Sequence, residues 1–119
     1  MPAAKQNLFI EQGTTWRYTL ALKSGATATS PSLNLTGYTA NMQLRADIAS
    51  AAPIIALSTA NNRITIAPLI GQVDLVLSAT ETAALAFDRA VYDLEITSAS
   101  GEVTRILQGS VTLSREVTR

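Results

Sequence analysis

Asp93 and Glu95 come nearest, in residue type and spacing, to a catalytic pair in this chain. Two residues apart on a strand, their carboxylates share one face. A glycosidase uses two such carboxyls flanking its substrate, one of them kept protonated by its surroundings. The alternative is a solvated strand face, with Arg89 and Arg105 placed to pair across a hairpin. The rest of the side-chain kit favours that alternative. The chain contains no His and no Cys, which removes the commonest general base and the Ser-His and Cys-His nucleophile arrangements. It also removes imidazole and thiolate zinc sites. An oxygen-only calcium site would need a D-x-D-x-D-G type of loop, which the sequence does not contain. The expectation is a protein that is not an enzyme, with no catalytic residue, no cofactor and no metal.

The carboxylates lie in the segment that is most clearly patterned. Tyr92, Leu94 and Ile96 alternate with Asp93, Glu95 and Thr97, the period-2 signature of a half-buried strand. Ala99-Ser100-Gly101 then reads as a tight turn, and Glu102 to Arg115 as a long return strand bent near Gly109. Upstream, Trp16, Tyr18, Leu20 and Leu22 alternate with Arg17, Thr19 and Lys23, and Tyr38 to Asp47 repeats the pattern. Asn7 to Glu11 reads as a short strand closed by Gln12-Gly13, and Ser24 to Ser32 as a loop of small residues broken by Pro31. Ile54 to Thr59 and Arg63 to Ala67 read as a hairpin across Ala60-Asn61-Asn62, since Asn tolerates positive φ. Gly71 to Leu77 supplies a further strand, with Val73, Leu75 and Leu77 inward. Ser78 to Glu81 fits a capping box opening a short helical turn near 79–86, with Leu85 and Phe87 plugging the core.

These elements predict one domain over residues 1–119, an all-β, Ig-like antiparallel β-sandwich of about eight strands with one short helical turn. At 119 residues such a domain buries roughly 65% of its unfolded surface, enough for a core without disulfides. Charged residues make up only 15% of the chain, against a usual ~25%. A surface left to Ser, Thr, Ala, Asn and Gln is easily desolvated against a partner, which points to an assembled state over a free monomer.

Nine basic and nine acidic residues cancel and do not segregate along the sequence, so no basic stripe exists to neutralise a nucleic-acid backbone or an anionic membrane. The first residues contain no apolar stretch of signal-peptide length, and no run approaches the ~20 residues that span a bilayer. The expected partners therefore exclude nucleic acid, membrane and small-molecule substrate. Arg outnumbers Lys seven to two, and Arg suits bidentate carboxylate contacts at interfaces. Arg115, Glu116, Val117, Thr118 and Arg119 form the candidate subunit interface, the alternative being ordinary surface charge.

Three motifs are familiar in combination: Glu11-Gln12-Gly13-Thr14-Thr15 as E-Q-G-x-T, Leu35 to Arg45 as L-T-G-Y-x-A-x-x-Q-L-R, and Gly109 to Arg119 as G-x-V-x-x-x-x-x-V-T-R. With the capped turn at Ser78 to Thr82 they resemble small β-sandwich proteins of tailed bacteriophages, the tail collar, long-tail-fibre connector and baseplate family. The resemblance implies a non-enzymatic virion component, made in the host bacterial cytoplasm and present in several copies in a ring or at a fibre-attachment point. Its partners would be copies of itself and other virion tail proteins. Two other functions fit a sandwich of this size, a carbohydrate- or surface-binding module and a capsid decoration protein. A sugar-binding module displays aromatic rings for stacking, and here Trp16, Tyr18, Tyr38 and Tyr92 all fall on faces read as inward.

Overall fold

The alternating segments become strands in the computed structural model, which describes residues 4–23, 31–115 and 117. In chain order they are β1 (Ala4–Lys5), β2 (Leu8–Glu11), β3 (Trp16–Ala21), β4 (Thr39–Arg45), β5 (Ile55–Ser58), β6 (Ile64–Ala67), β7 (Gln72–Leu77), β8 (Arg89–Thr97) and β9 (Val103–Ser114). A short helix, α1 (Ala79–Ala83), precedes β8, and a 3-10 turn (Pro68–Ile70) joins β6 to β7. One sheet runs β1-β9-β8-β4-β5, with β2 continuing β1 along β9; the other runs β3-β7-β6. The two sheets enclose one core, to which Met42, Leu44, Leu75, Leu77, Leu94 and Val111 contribute fully buried side chains. The expected all-β sandwich is the fold, and its final hairpin, β8 with β9, lies within the large sheet.

Three local expectations change. The strand at the amino-terminal end pairs in parallel with β9, Leu8 opposite Val111 and Ile10 opposite Leu113, an exception within the antiparallel sandwich. Its direction follows from the turn after Glu11, which carries the chain across to the small sheet instead of back along the same one. The predicted 54–67 hairpin is a sheet-switching corner: β5 pairs with β4, and β6 with β7. Both strands are short and apolar, so each finds a fuller apolar neighbour in a different layer. Asn62 does take positive φ, at 63°, but it turns the chain between layers. The irregularity in β9 falls at Ile106, which is left without an opposite residue as the register moves from Leu94–Leu107 to Glu95–Arg105.

Gly109 serves close approach. A Cβ there would meet the backbone carbonyl oxygen of Gln6 at 2.4 Å, so only glycine lets the segment between β1 and β2 lie against β9. The helix forms where its capping box was read: the Glu81 amide donates to Ser78 Oγ at 3.1 Å, and the Ser78 amide donates to Glu81 Oε1 at 2.8 Å. Leu85 is buried and Phe87 packs against the core from its edge, closing the sandwich as expected.

Candidate interaction surface

Because the apolar residues of β4, β8 and β9 turn inward, their polar neighbours meet on the outer face of the large sheet. Strand register puts Gln43, Asp93, Gln108 and Lys5 side by side in a single row across four strands. On one side of that row lie Asn41, Glu95 and Arg105, and on the other Arg45, Val91 and Ser110. The sequence separations are large, yet the register makes these residues immediate neighbours.

The face is hollow. A depression of about 630 Å³ opens over Gln43, Val91, Asp93 and Gln108, with Ile48 on its wall. Most of the charges around it are already engaged. Arg105 Nε lies 3.4 Å from Asp93 Oδ2, and its Nη1 reaches Gln108 Oε1 at 3.5 Å. Arg45 donates to Gln43 Oε1 at 2.6 Å and to the Ser50 carbonyl at 2.8 Å. Glu95 and Lys5 make no ion pair among the described residues. The two carboxylates singled out from the sequence therefore separate: Asp93 is tied to Arg105, while Glu95 makes no ion pair among the described residues. Arg89 stands opposite Thr112 near the far end of β8, and Arg105 is the arginine that crosses the hairpin.

Two large apolar side chains are exposed on this side of the molecule, and of them Ile48 lines the hollow. Ile48, in the connector after β4, is 91% exposed, and Phe9, on the outward side of β2, is 71% exposed. The interior aromatics lie on the opposite side of the sheet. Trp16 and Tyr18 stack with ring centroids 6.4 Å apart, and Tyr92 is buried. Burial, with a smaller contribution from nearby Tyr18, holds the Tyr92 hydroxyl well above the ordinary tyrosine pKa. That hydroxyl stays protonated and donates to the Gln6 carbonyl at 2.6 Å.

The candidate interface residues divide. Arg115 turns back on its own chain, Nη2 lying 3.3 Å from both Asp88 Oδ1 and the Ala86 carbonyl. Val117 is 90% exposed. Glu116, Thr118 and Arg119 lie outside the described residues. Lys5, Gln43, Ile48 and Gln108 were not singled out from the sequence. The only signal for the two glutamines was their outward phase within alternating strands; nothing local marks Ile48 or says that β4 borders β8. Compared with known proteins, the sequence matches no protein-family model and no curated protein.

Proposed function

We propose that the chain is a non-enzymatic structural protein of a bacteriophage virion, an oligomeric component of the tail, collar or baseplate that serves as an assembly or fibre-attachment module. The observation that carries this reading is the outer face of the large sheet. It is broad and hollow, rich in Gln, Asn and Arg, with the exposed side chain of Ile48 in its lining and exposed Phe9 on the outward side of β2. Asp93 and Arg105 neutralise one another and Arg45 is hydrogen-bonded within the face, which lowers the penalty for covering it with another protein. The resemblance to phage tail sandwiches supports the same reading, because its first two motifs, and the third through Ser114, fall on scaffold positions among the described residues. Glu11 to Thr15 makes the crossing between sheets, Leu35 to Arg45 leads into and forms β4, and Gly109 receives the Gln6 backbone.

The test is to purify the phage whose genome encodes the chain and analyse its particles by mass spectrometry and immunogold electron microscopy. The expected result is stoichiometric presence with label on the tail. Absence from intact particles overturns the reading, and label spread over the capsid replaces it with decoration. A carbohydrate-binding module is the second reading, favoured by exposed Phe9 and by a hollow within the size range of ligand pockets. Reproducible glycan-array binding that is lost in Phe9→Ala would establish it.

A further inference from the structure

We infer that the outer face of the large sheet is an isologous interface, on which a second copy of this chain packs about a two-fold axis. The inference rests on the assembly reading above and names the partner and the contacts.

Self-complementarity carries it. A two-fold contact sets one patch against itself, so every feature on the patch must be answered by another on the same patch. Arg45 is held by Gln43 and the Ser50 carbonyl, which leaves two charges on this face with neither an ion pair nor a side-chain hydrogen bond among the described residues, and they are of opposite sign: Lys5 on β1 and Glu95 on β8. They lie two strands apart, with β9 between them. An axis through the β9 region therefore brings Glu95 of each copy onto Lys5 of the other, forming two identical pairs. Between them lies the internally neutralised Asp93–Arg105 pair. Shape follows the same logic, since the face has both a hollow and an apolar knob beside it. Ile48 is 91% exposed on the wall, and the floor of the hollow includes Val91.

The available area is adequate. The strands of this sheet, at ~4.8 Å spacing and ~3.3 Å rise per residue, present about 600 Å², which doubled reaches the lower end of specific interfaces at roughly 1,200 Å² in total. A standard interface takes roughly 800 Å² from each partner.

The experiment is a charge-reversal cycle on the whole chain, read by sedimentation equilibrium, with circular dichroism and thermal unfolding confirming that each variant folds. Wild type is expected to dimerise. Lys5→Glu and Glu95→Lys are each expected to weaken the dimer about tenfold or more, because each sets like charges together. The double variant, which restores opposite signs, is expected to recover most of the affinity. Ile48→Asp should also dissociate the dimer. A wild type that remains monomeric overturns the inference, as do single reversals without effect or a double variant no tighter than the singles. A monomeric chain that is nevertheless present in purified virions removes this interface and leaves the assembly reading standing. A dimer that follows the charge cycle while the chain is absent from virions supports the interface and removes the virion role.

Discussion

Tyr92 and Gly109 are opposite one another on β8 and β9, and the tyrosine side chain spans the strand at the point where the glycine has no side chain. Its hydroxyl reaches past β9 to the Gln6 carbonyl, 2.6 Å away. One residue pair thus fastens the amino-terminal strand to the sheet: the glycine admits the Gln6 backbone, and the tyrosine bonds it. Tyr92→Phe should lower unfolding free energy by about 1 kcal/mol, the net worth of one hydrogen bond. Gly109→Ala should do more damage, since its Cβ would stand 2.4 Å from the Gln6 oxygen and the whole β1–β2 segment must move. Urea titration gives the stabilities. Hydrogen exchange should show earlier opening at the Gln6 amide, which donates to the Gln108 carbonyl.

Thr82 is a second fastening, between α1 and the crossing from β2 to β3. Its side chain is fully buried, donates to the Thr14 carbonyl at 2.7 Å and accepts from the Gly13 amide at 3.0 Å. Thr82→Val keeps the shape and strands both backbone groups, so a loss of about 1–3 kcal/mol is expected. Thr82→Ser keeps the hydroxyl and should lose about 1 kcal/mol for one methyl group. Denaturant midpoints that rank valine above serine in stability would show that these hydrogen bonds do not hold the crossing.

Those fastenings show which parts of the fold the sequence made legible. Alternation identified the inward faces of β3, β4, β7 and β8, because burial on one side of a sheet imposes a period of two on each strand separately. The capping box fixed the start of α1 because its partners are three residues apart. Strand neighbours were another matter. A short apolar run such as Ile54 to Thr59 carries no mark of which sheet it joins, so the sequence of the β5–β6 corner looks the same as that of a hairpin. The same limit hid the outer face. Gln43, Asp93, Gln108 and Lys5 become a row only through pairings among β4, β8, β9 and β1. The carboxylates at 93 and 95 were visible as a pair, but their different fates depend on where Arg105 falls after the bulge at Ile106.

Glu81 gives the fold an acid-sensitive joint. Its carboxylate accepts from the Ser78 amide and from Arg63 Nε, and Arg63 also donates to the Ala56 carbonyl at 2.8 Å. The Ser78 backbone hydrogen bond foremost, with help from Arg63, holds the Glu81 pKa below its ordinary value of 4.5. A carboxyl with a depressed folded-state pKa stabilises the protein fully above the ordinary value, and that stability is lost as pH falls through the folded-state value. The urea midpoint should therefore decline from about pH 4.5 downward. Glu81→Gln should lower the midpoint at pH 7 and flatten this part of the acid limb. An unchanged acid limb in that variant would place the sensitivity at another carboxylate.

The sheet-switching corner depends on two adjacent asparagines with different tasks. Asn61 works through its side chain: Oδ1 accepts from the Ser58 amide at 3.0 Å and from the Arg63 amide at 3.1 Å, and Nδ2 donates to the Ala56 carbonyl at 3.1 Å. Asn62 works through its backbone, with φ at 63°. Asn61→Ala should therefore destabilise by about 1–2 kcal/mol, as at other sites where an Asn side chain satisfies backbone amides. Asn62→Gly should be neutral or slightly favourable, and Asn62→Val unfavourable by about 1–2 kcal/mol, because only the branched residue resists the left-handed region. Thermal unfolding of the three variants separates the two roles. If glycine at 62 proved as damaging as alanine at 61, the Asn62 side chain, and not its backbone conformation, would be holding the layers together.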